Sequence, residues 1–240
     1  MQDIRIRKSG NGKHGLYKSQ SSLSSKSRQA GSENGYPCPL IGVLALQGAF
    51  REHIVSLKKC GCRTVEIRSP EQLEQIDGLV IPGGESTTMV KLIEKYNFRG
   101  SLDVFFRAGK PIFGTCAGLI LLAKHVKAFN LNLGYIDISV DRNAYGRQVD
   151  SFEQEVELDL GQPSGAVKNF NAVFIRAPVI KGTGENIQVL SRLDGNVILA
   201  RQENILVCAF HPELTGDLRI HSYFLDMVKN SKSVVKFKKV

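Results

Sequence analysis

The chain has 240 residues, 42% of them hydrophobic and 23% charged, which is an ordinary globular composition with length enough for one sizeable α/β core. No apolar run approaches the roughly 18–20 residues needed to cross a bilayer, so a helical membrane protein is excluded. The net charge of +9 does not point to nucleic acid: residues 1–39 hold seven Lys/Arg against two Asp/Glu, and no recognisable nucleic-acid-binding signature accompanies them.

Residues 1–39, with stretches such as SQSSLSSKSRQAGSENG, lack sustained apolar periodicity and are expected to be a disordered basic extension. The five cysteines are odd in number and scattered, as suits a reducing compartment, and the lone C-x-C of Cys60 and Cys62 is poor evidence for zinc. The expected location is cytoplasmic. The basic, Ser-rich start overlaps transit-peptide composition, so organellar targeting stays open.

From Leu40 the texture changes. IGVLAL (41–46) reads as a buried parallel strand, and AFREHIVSLKKCG follows with helical spacing that ends on Gly61. RTVEI (63–67) reads as a second strand, and in SPEQLEQI Ser69 is a candidate N-cap with Pro70 opening the helix. GLVIPGG (78–84) is a third strand entering a glycine turn, with a helix from about Ser86 to Tyr96. A further helical stretch lies near residues 101–108, and PIFG (111–114) is a fourth strand. This β-α-β-α rhythm predicts a doubly wound, mainly parallel sheet with helices on both faces. YIDISV, FEQEVEL, AVFIRAPV, IQVLSRL, NVILARQ and ILVCAFH read as strands that add β-hairpins before the chain returns to the central sheet. DLRIHSYFLDMVKNS has amphipathic helical spacing. The expected domain spans 40–230, with a basic tail at 231–240.

FGTCAGLILLA (113–123) sets Cys116 between two glycines, just past a strand and just before a helix. In such folds catalytic groups gather at the carboxyl ends of strands. The arrangement is that of a nucleophile elbow with sulfur in place of oxygen. Gly114 and Gly118 would spare the turn side-chain collisions, and the Ala117 N–H would be a donor to an oxyanion. A base is available in AFHPEL (209–214). His211 lies near the end of an apolar strand, Pro212 biases it toward extended geometry, and Glu213, two residues on, would then reach the imidazole. Cys208 reads as core, and His53 and His221 as surface or packing residues on helices. His125 reads as a helix-end residue.

These motifs resemble the triad glutamine amidotransferases. LALQGAFREH, IPGGESTT, GTCAGLILLAK, RNAYGRQVDSFE, FIRAP and AFHPEL more narrowly resemble the glutaminase subunit of pyridoxal 5′-phosphate synthase, over about Ile41 to Lys229. The resemblance implies a flavodoxin-like, class I amidotransferase fold, with Cys116 as nucleophile, His211 as general acid/base and Glu213 as its orienting carboxylate. It implies L-glutamine contacts at Gly84, Glu85, Ser86, Arg142, Ile175 and Arg176, and oxyanion donors at Gly83 and Ala117. Ile120 stands where many of the superfamily carry Gln, and HVKAFNLN departs from the loop usual at that place. No metal or organic cofactor is implied. The implied partner is a ring-forming barrel synthase in a hetero-oligomer that consumes the ammonia, with no role for nucleic acid or membrane. Because the glycines of PGGES could hold a peptide in two orientations, the isolated subunit is expected to be a weak glutaminase. The rival readings are a cysteine peptidase or related hydrolase on the same elbow, and a non-catalytic binding scaffold.

Overall fold

The computed structural model describes residues 38–129, 131–142, 151–161 and 169–237. The expected basic extension therefore lies outside the described residues except for Cys38 and Pro39, as do residues 143–150 of the RNAYGRQVDSFE motif. Strands β1 (Leu40–Leu44), β2 (Arg63–Ile67), β3 (Gly78–Ile81) and β4 (Ile112–Thr115) alternate with helices α1 (Phe50–Lys59), α2 (Ser86–Lys95) and α3 (Phe98–Arg107), and α4 (Ala117–Leu122) follows β4. Then come β5 (Ala123–Val126), β6 (Ile136–Asp141), β7 (Ser151–Val156), β8 (Phe170–Ile175), β9 (Val179–Thr183), β10 (Gln188–Leu193), β11 (Asn196–Gln202) and β12 (Ile205–Cys208), and the chain closes with α5 (Arg219–Phe237).

The main sheet runs β2-β1-β3-β4-β12-β11-β9-β6-β5, with β10 hanging on β11. Its first five strands are parallel, and the order 2-1-3-4 followed by a late strand is the flavodoxin-like winding expected. β12 is antiparallel to β11, and β9 is antiparallel to both β11 and β6, so the added hairpins extend the sheet. β7 and β8 pair separately as an antiparallel hairpin. Strands β3, β4 and β12 are buried at every position, which is why they read as unbroken apolar runs. Right-handed crossovers in opposite directions from β1 and β3 put α1 on one face and α2–α3 on the other. α1 packs against α5, and α2 against α3 and α4.

Four local expectations are corrected. SPEQLEQ forms a 3-10 segment (Pro70–Gln75), in which Gln72 Oε1 accepts the Ser69 N–H at 2.9 Å. AVFIRAPV is two strands, because Arg176 takes φ 43° and Pro178 follows before β9 begins. His125 sits exposed on β5, since α4 ends at Leu122. α5 continues to Phe237, through much of the segment expected to be a tail.

Candidate active site

The site forms where β3, β4 and β12 end at the same rim. Cys116 follows β4 directly and is the N-cap of α4, with φ 47° and ψ −101°. A non-glycine residue in that conformation is strained by on the order of 1–3 kcal/mol and must be held by its surroundings. Its N–H donates to the Cys208 carbonyl at 2.8 Å, and its carbonyl accepts from Ile120 at 3.2 Å. The glycines on either side work as expected. A Cβ on Gly118 would lie 2.1 Å from the Ile81 carbonyl oxygen, and one on Gly114 would press on the Gly118 backbone. α4 thus packs on the end of β3 at a distance only glycine permits.

The Pro82–Glu85 turn closes over the cysteine. A Cβ on Gly83 would stand 2.4 Å from His211 Cε1 and 3.3 Å from Cys116 Cβ, so this glycine lies against both side chains. The Gly83 carbonyl accepts the Ala49 N–H at 3.0 Å, which fixes the peptide's orientation from the α1 side. The Glu85 carboxylate accepts from the Thr87 and Thr88 amides at 2.9 and 2.6 Å and caps α2. The Thr88 hydroxyl above all draws its pKa down to about 2, and the Thr87 and Thr88 amides add to the fall against the opposing effect of burial. The Glu85 side chain is therefore committed to the helix, and the helix cap is Glu85 while Ser86 is its first helical residue.

His211 lies three residues beyond the end of β12 and is positioned by its N–H, which donates to the Val173 carbonyl of β8 at 2.8 Å. The expected extended His-Pro-Glu segment is instead a 3-10 turn, Pro212–Leu214, with proline suited to its first position. Turning back in this way brings Glu213 Oε1 to 2.7 Å from His211 Nδ1. The His211 ring and the Cys116 side chain both border Gly83. Burial alone would lower the His211 pKa, but interaction with Cys116 and Glu213 overrides it and raises the group to about 10. Burial opposes the Glu213 charge too, yet His53 and His211 hold its carboxyl below the usual range.

The remaining expected residues frame the opening. The Ile175 carbonyl lies 3.8 Å from Cys116 Sγ, and Arg176 beside it is exposed. Arg142 Nη1 is 3.5 Å from Ser86 Oγ, and its guanidinium lies over the Phe129 ring at 4.6 Å. Phe129 comes from HVKAFNLN, so this divergent stretch supports one of the arginines. Gln47 Oε1 accepts the Glu85 N–H at 3.0 Å, a support for the turn that the sequence reading did not single out. Cys208 is fully buried, and burial pushes its thiol up, consistent with a core role.

Of the two roles open to His53 and His221, surface or packing, the structure selects the interior. Both are completely buried, with His53 Nδ1 3.0 Å from His221 Nε2. His53 Nε2 is 3.0 Å from Thr115 Oγ1 and 3.3 Å from Glu213 Oε2. Helical periodicity carried no signal for this, because the partners lie 62, 160 and 168 residues away. Burial depresses both histidines, His221 to about 3, so both are neutral near pH 7.

Comparison with known proteins shows what the chain as a whole is similar to. Residues 43–230 match the SNO glutamine amidotransferase family. The chain is 52% identical over 194 residues to the pyridoxal 5′-phosphate synthase subunit PdxT of Geobacillus sp. (strain WCH70), covering 80% of this chain and 98% of that one. It is 54% identical over 190 residues to the subunit of the same name from Thermosipho africanus (strain TCF52B), covering 79% and 98%. A crystal structure of a glutamine amidotransferase superposes with a TM-score of 0.73 at 44% identity, over 79% of this chain and 98% of the other.

Proposed function

The chain belongs to the SNO glutamine amidotransferase family, and we propose that it hydrolyses L-glutamine through Cys116, His211 and Glu213. It is a glutaminase subunit of pyridoxal 5′-phosphate synthase, supplying ammonia for vitamin B6 synthesis together with a synthase partner. The observation that carries the triad reading is that His211 pairs with Glu213 at 2.7 Å while its ring and the Cys116 side chain flank the same glycine, Gly83.

The raised pKa of His211 keeps the imidazole protonated at neutral pH, so His211 enters the reaction as the acid, and the thiolate is the attacking form of the cysteine. The thiolate attacks the side-chain amide carbon of glutamine, and the electron pair of the carbonyl moves onto oxygen. The Ala117 N–H and the backbone of the Gly83–Gly84 turn would receive that oxyanion. The tetrahedral intermediate collapses as His211 gives its proton to the nitrogen, releasing ammonia and leaving a thioester. His211 then takes a proton from water, whose hydroxide attacks the thioester and releases glutamate. Arg142 or Arg176 would pair with the substrate's α-carboxylate, a role suited to the planar guanidinium.

Free ammonia at neutral pH is mostly ammonium, which is not nucleophilic, so direct delivery to a docked partner suits the chemistry, and the resemblance makes that partner a ring-forming synthase in a hetero-oligomer. The Gly83 carbonyl bound by the Ala49 N–H gives the partner a single peptide to reorient when it docks. Glutamate release measured with the synthase subunit present tests the reading. Cys116→Ala is expected to reduce it to background, and substantial residual turnover would refute the triad.

A further inference from the structure

Glu213 binds His211 with one carboxylate oxygen only. Its other oxygen, Oε2, is buried and has no aligned hydrogen bond, and His221 Nδ1 is the other buried side-chain atom in this state among the described residues. The two orphans lie at opposite ends of one chain of groups: Glu213 Oε2, His53 Nε2 at 3.3 Å, His53 Nδ1, and His221 Nε2 at 3.0 Å. Phe113 closes the space edge-on to both imidazoles, at 6.0 and 6.1 Å between ring centroids. The charged and titratable groups acting on His53 are Glu213, His211 and His221 from other elements and Glu52 from its own helix.

Two arrangements of protons are open to this chain. If His53 carries its proton on Nδ1, its bare Nε2 faces the carboxylate oxygen, and His221 must carry a buried N–H on Nδ1 with no acceptor. If His53 carries its proton on Nε2, that N–H is bonded to Thr115 Oγ1 at 3.0 Å and presents its positive end to Glu213 Oε2 at 3.3 Å. His221 Nε2–H then donates to His53 Nδ1, and only one acceptor lone pair, on His221 Nδ1, goes unused. Stranding a buried N–H and a buried carboxylate oxygen is worse than leaving one imidazole lone pair idle. The second arrangement is therefore selected.

We infer that His53 is a positioning residue for the glutaminase, turning its Nε2–H to Glu213 and so fixing the carboxylate that orients His211. His221 acts behind it by setting the His53 tautomer. The inference rests on the triad reading above, and it gives α1 two duties one helical turn apart. Ala49 holds the Gly83 peptide through its N–H, and its carbonyl accepts from the N–H of His53 at 3.4 Å. One helix thus sets both the turn beside the nucleophile and the carboxylate behind the base.

The test uses three variants assayed with the synthase subunit. His53→Gln keeps a nitrogen donor near the place of Nε2, His53→Asn keeps one only near Nδ1, and His53→Phe keeps neither. Expected is a kcat for His53→Gln within about threefold of wild type. His53→Asn and His53→Phe should fall by roughly ten- to a hundredfold, the size of one hydrogen bond to a charged group, with the glutamine KM little changed. Equal kcat for the folded Gln and Asn variants would overturn the inference while leaving Cys116→Ala as the separate test of the triad. Should the variants fail to fold, the ring 15N shifts of the wild-type protein decide it: neutral His53 protonated on Nε2 is expected, and protonation on Nδ1 would overturn it.

Discussion

The two halves of the site hold Cys116 and His211 in different ways. In the parallel half, Cys116 is fixed by backbone: a strand end, a strained φ of 47°, and glycines that let α4 touch β3. In the half supplied by the segment after β12, His211 is fixed by polar contacts, to the Val173 carbonyl of β8 and to Glu213. A group held by close packing fails when volume is added, whereas a group held by hydrogen bonds fails when a proton or an acceptor is exchanged at constant volume. The two halves are therefore broken by opposite kinds of substitution.

The largest expected effect belongs to the polar half. Glu213→Gln preserves shape but exchanges one oxygen of a carboxylate that lies between His211 Nδ1 and His53 Nε2. The amide must point its N–H₂ at one of two nitrogens that both need an acceptor, so the His211 tautomer is no longer fixed. Loss of kcat by roughly a thousandfold or more is expected, with glutamine binding largely kept. A loss under tenfold would mean that the carboxylate does not orient the base. Next comes the packed half. Gly118→Ala forces a methyl to within 2.1 Å of the Ile81 carbonyl oxygen, so backbone has to move, and about 1–3 kcal/mol of stability is expected to go with it in urea unfolding. Gly100→Ala in α3 meets nothing within 4 Å and is the control, expected to gain about 0.4–1 kcal/mol. Equal effects at the two glycines would remove the packing argument.

The same difference explains what the sequence disclosed. The parallel half was legible because its rules are local: apolar runs for β1 to β4, Pro70 after Ser69, glycines around Cys116. Even the pairing of His211 with Glu213 was legible, though for the wrong reason, since a 3-10 turn and not an extended segment brings them together. AVFIRAPV hid a break because a positive φ at Arg176 leaves no mark on apolar periodicity. His53 and His221 were opaque for a deeper reason. Each sits on an amphipathic helix where an interior histidine looks like any other core residue, and only the meeting of α1, α5 and the 212–214 turn makes them partners of Glu213.

The smallest and most gradual effect is the dependence of stability on pH, and it separates the groups at the rim from those beneath it. His211, raised to about 10, binds its proton more tightly in the folded chain than in the unfolded one, where the ordinary value is about 6.5. Its contribution is complete below about 6.5 and is lost as pH climbs toward 10. His221 has the opposite sign. Lowered to about 3, it stays neutral in the fold while the unfolded chain takes up a proton below about 6.5, so stability drains as pH falls from there toward 3. His53 acts in the same direction, and Glu213 adds to the acid-side loss once the unfolded carboxylate protonates near 4.3. Urea unfolding across pH 4–10 is therefore expected to show a stability maximum near neutrality with losses on both flanks. His221→Phe should flatten the acid flank and leave the alkaline one, because only the buried neutral histidine has been removed. An acid flank unchanged by that substitution would mean that His221 is not kept neutral by its burial.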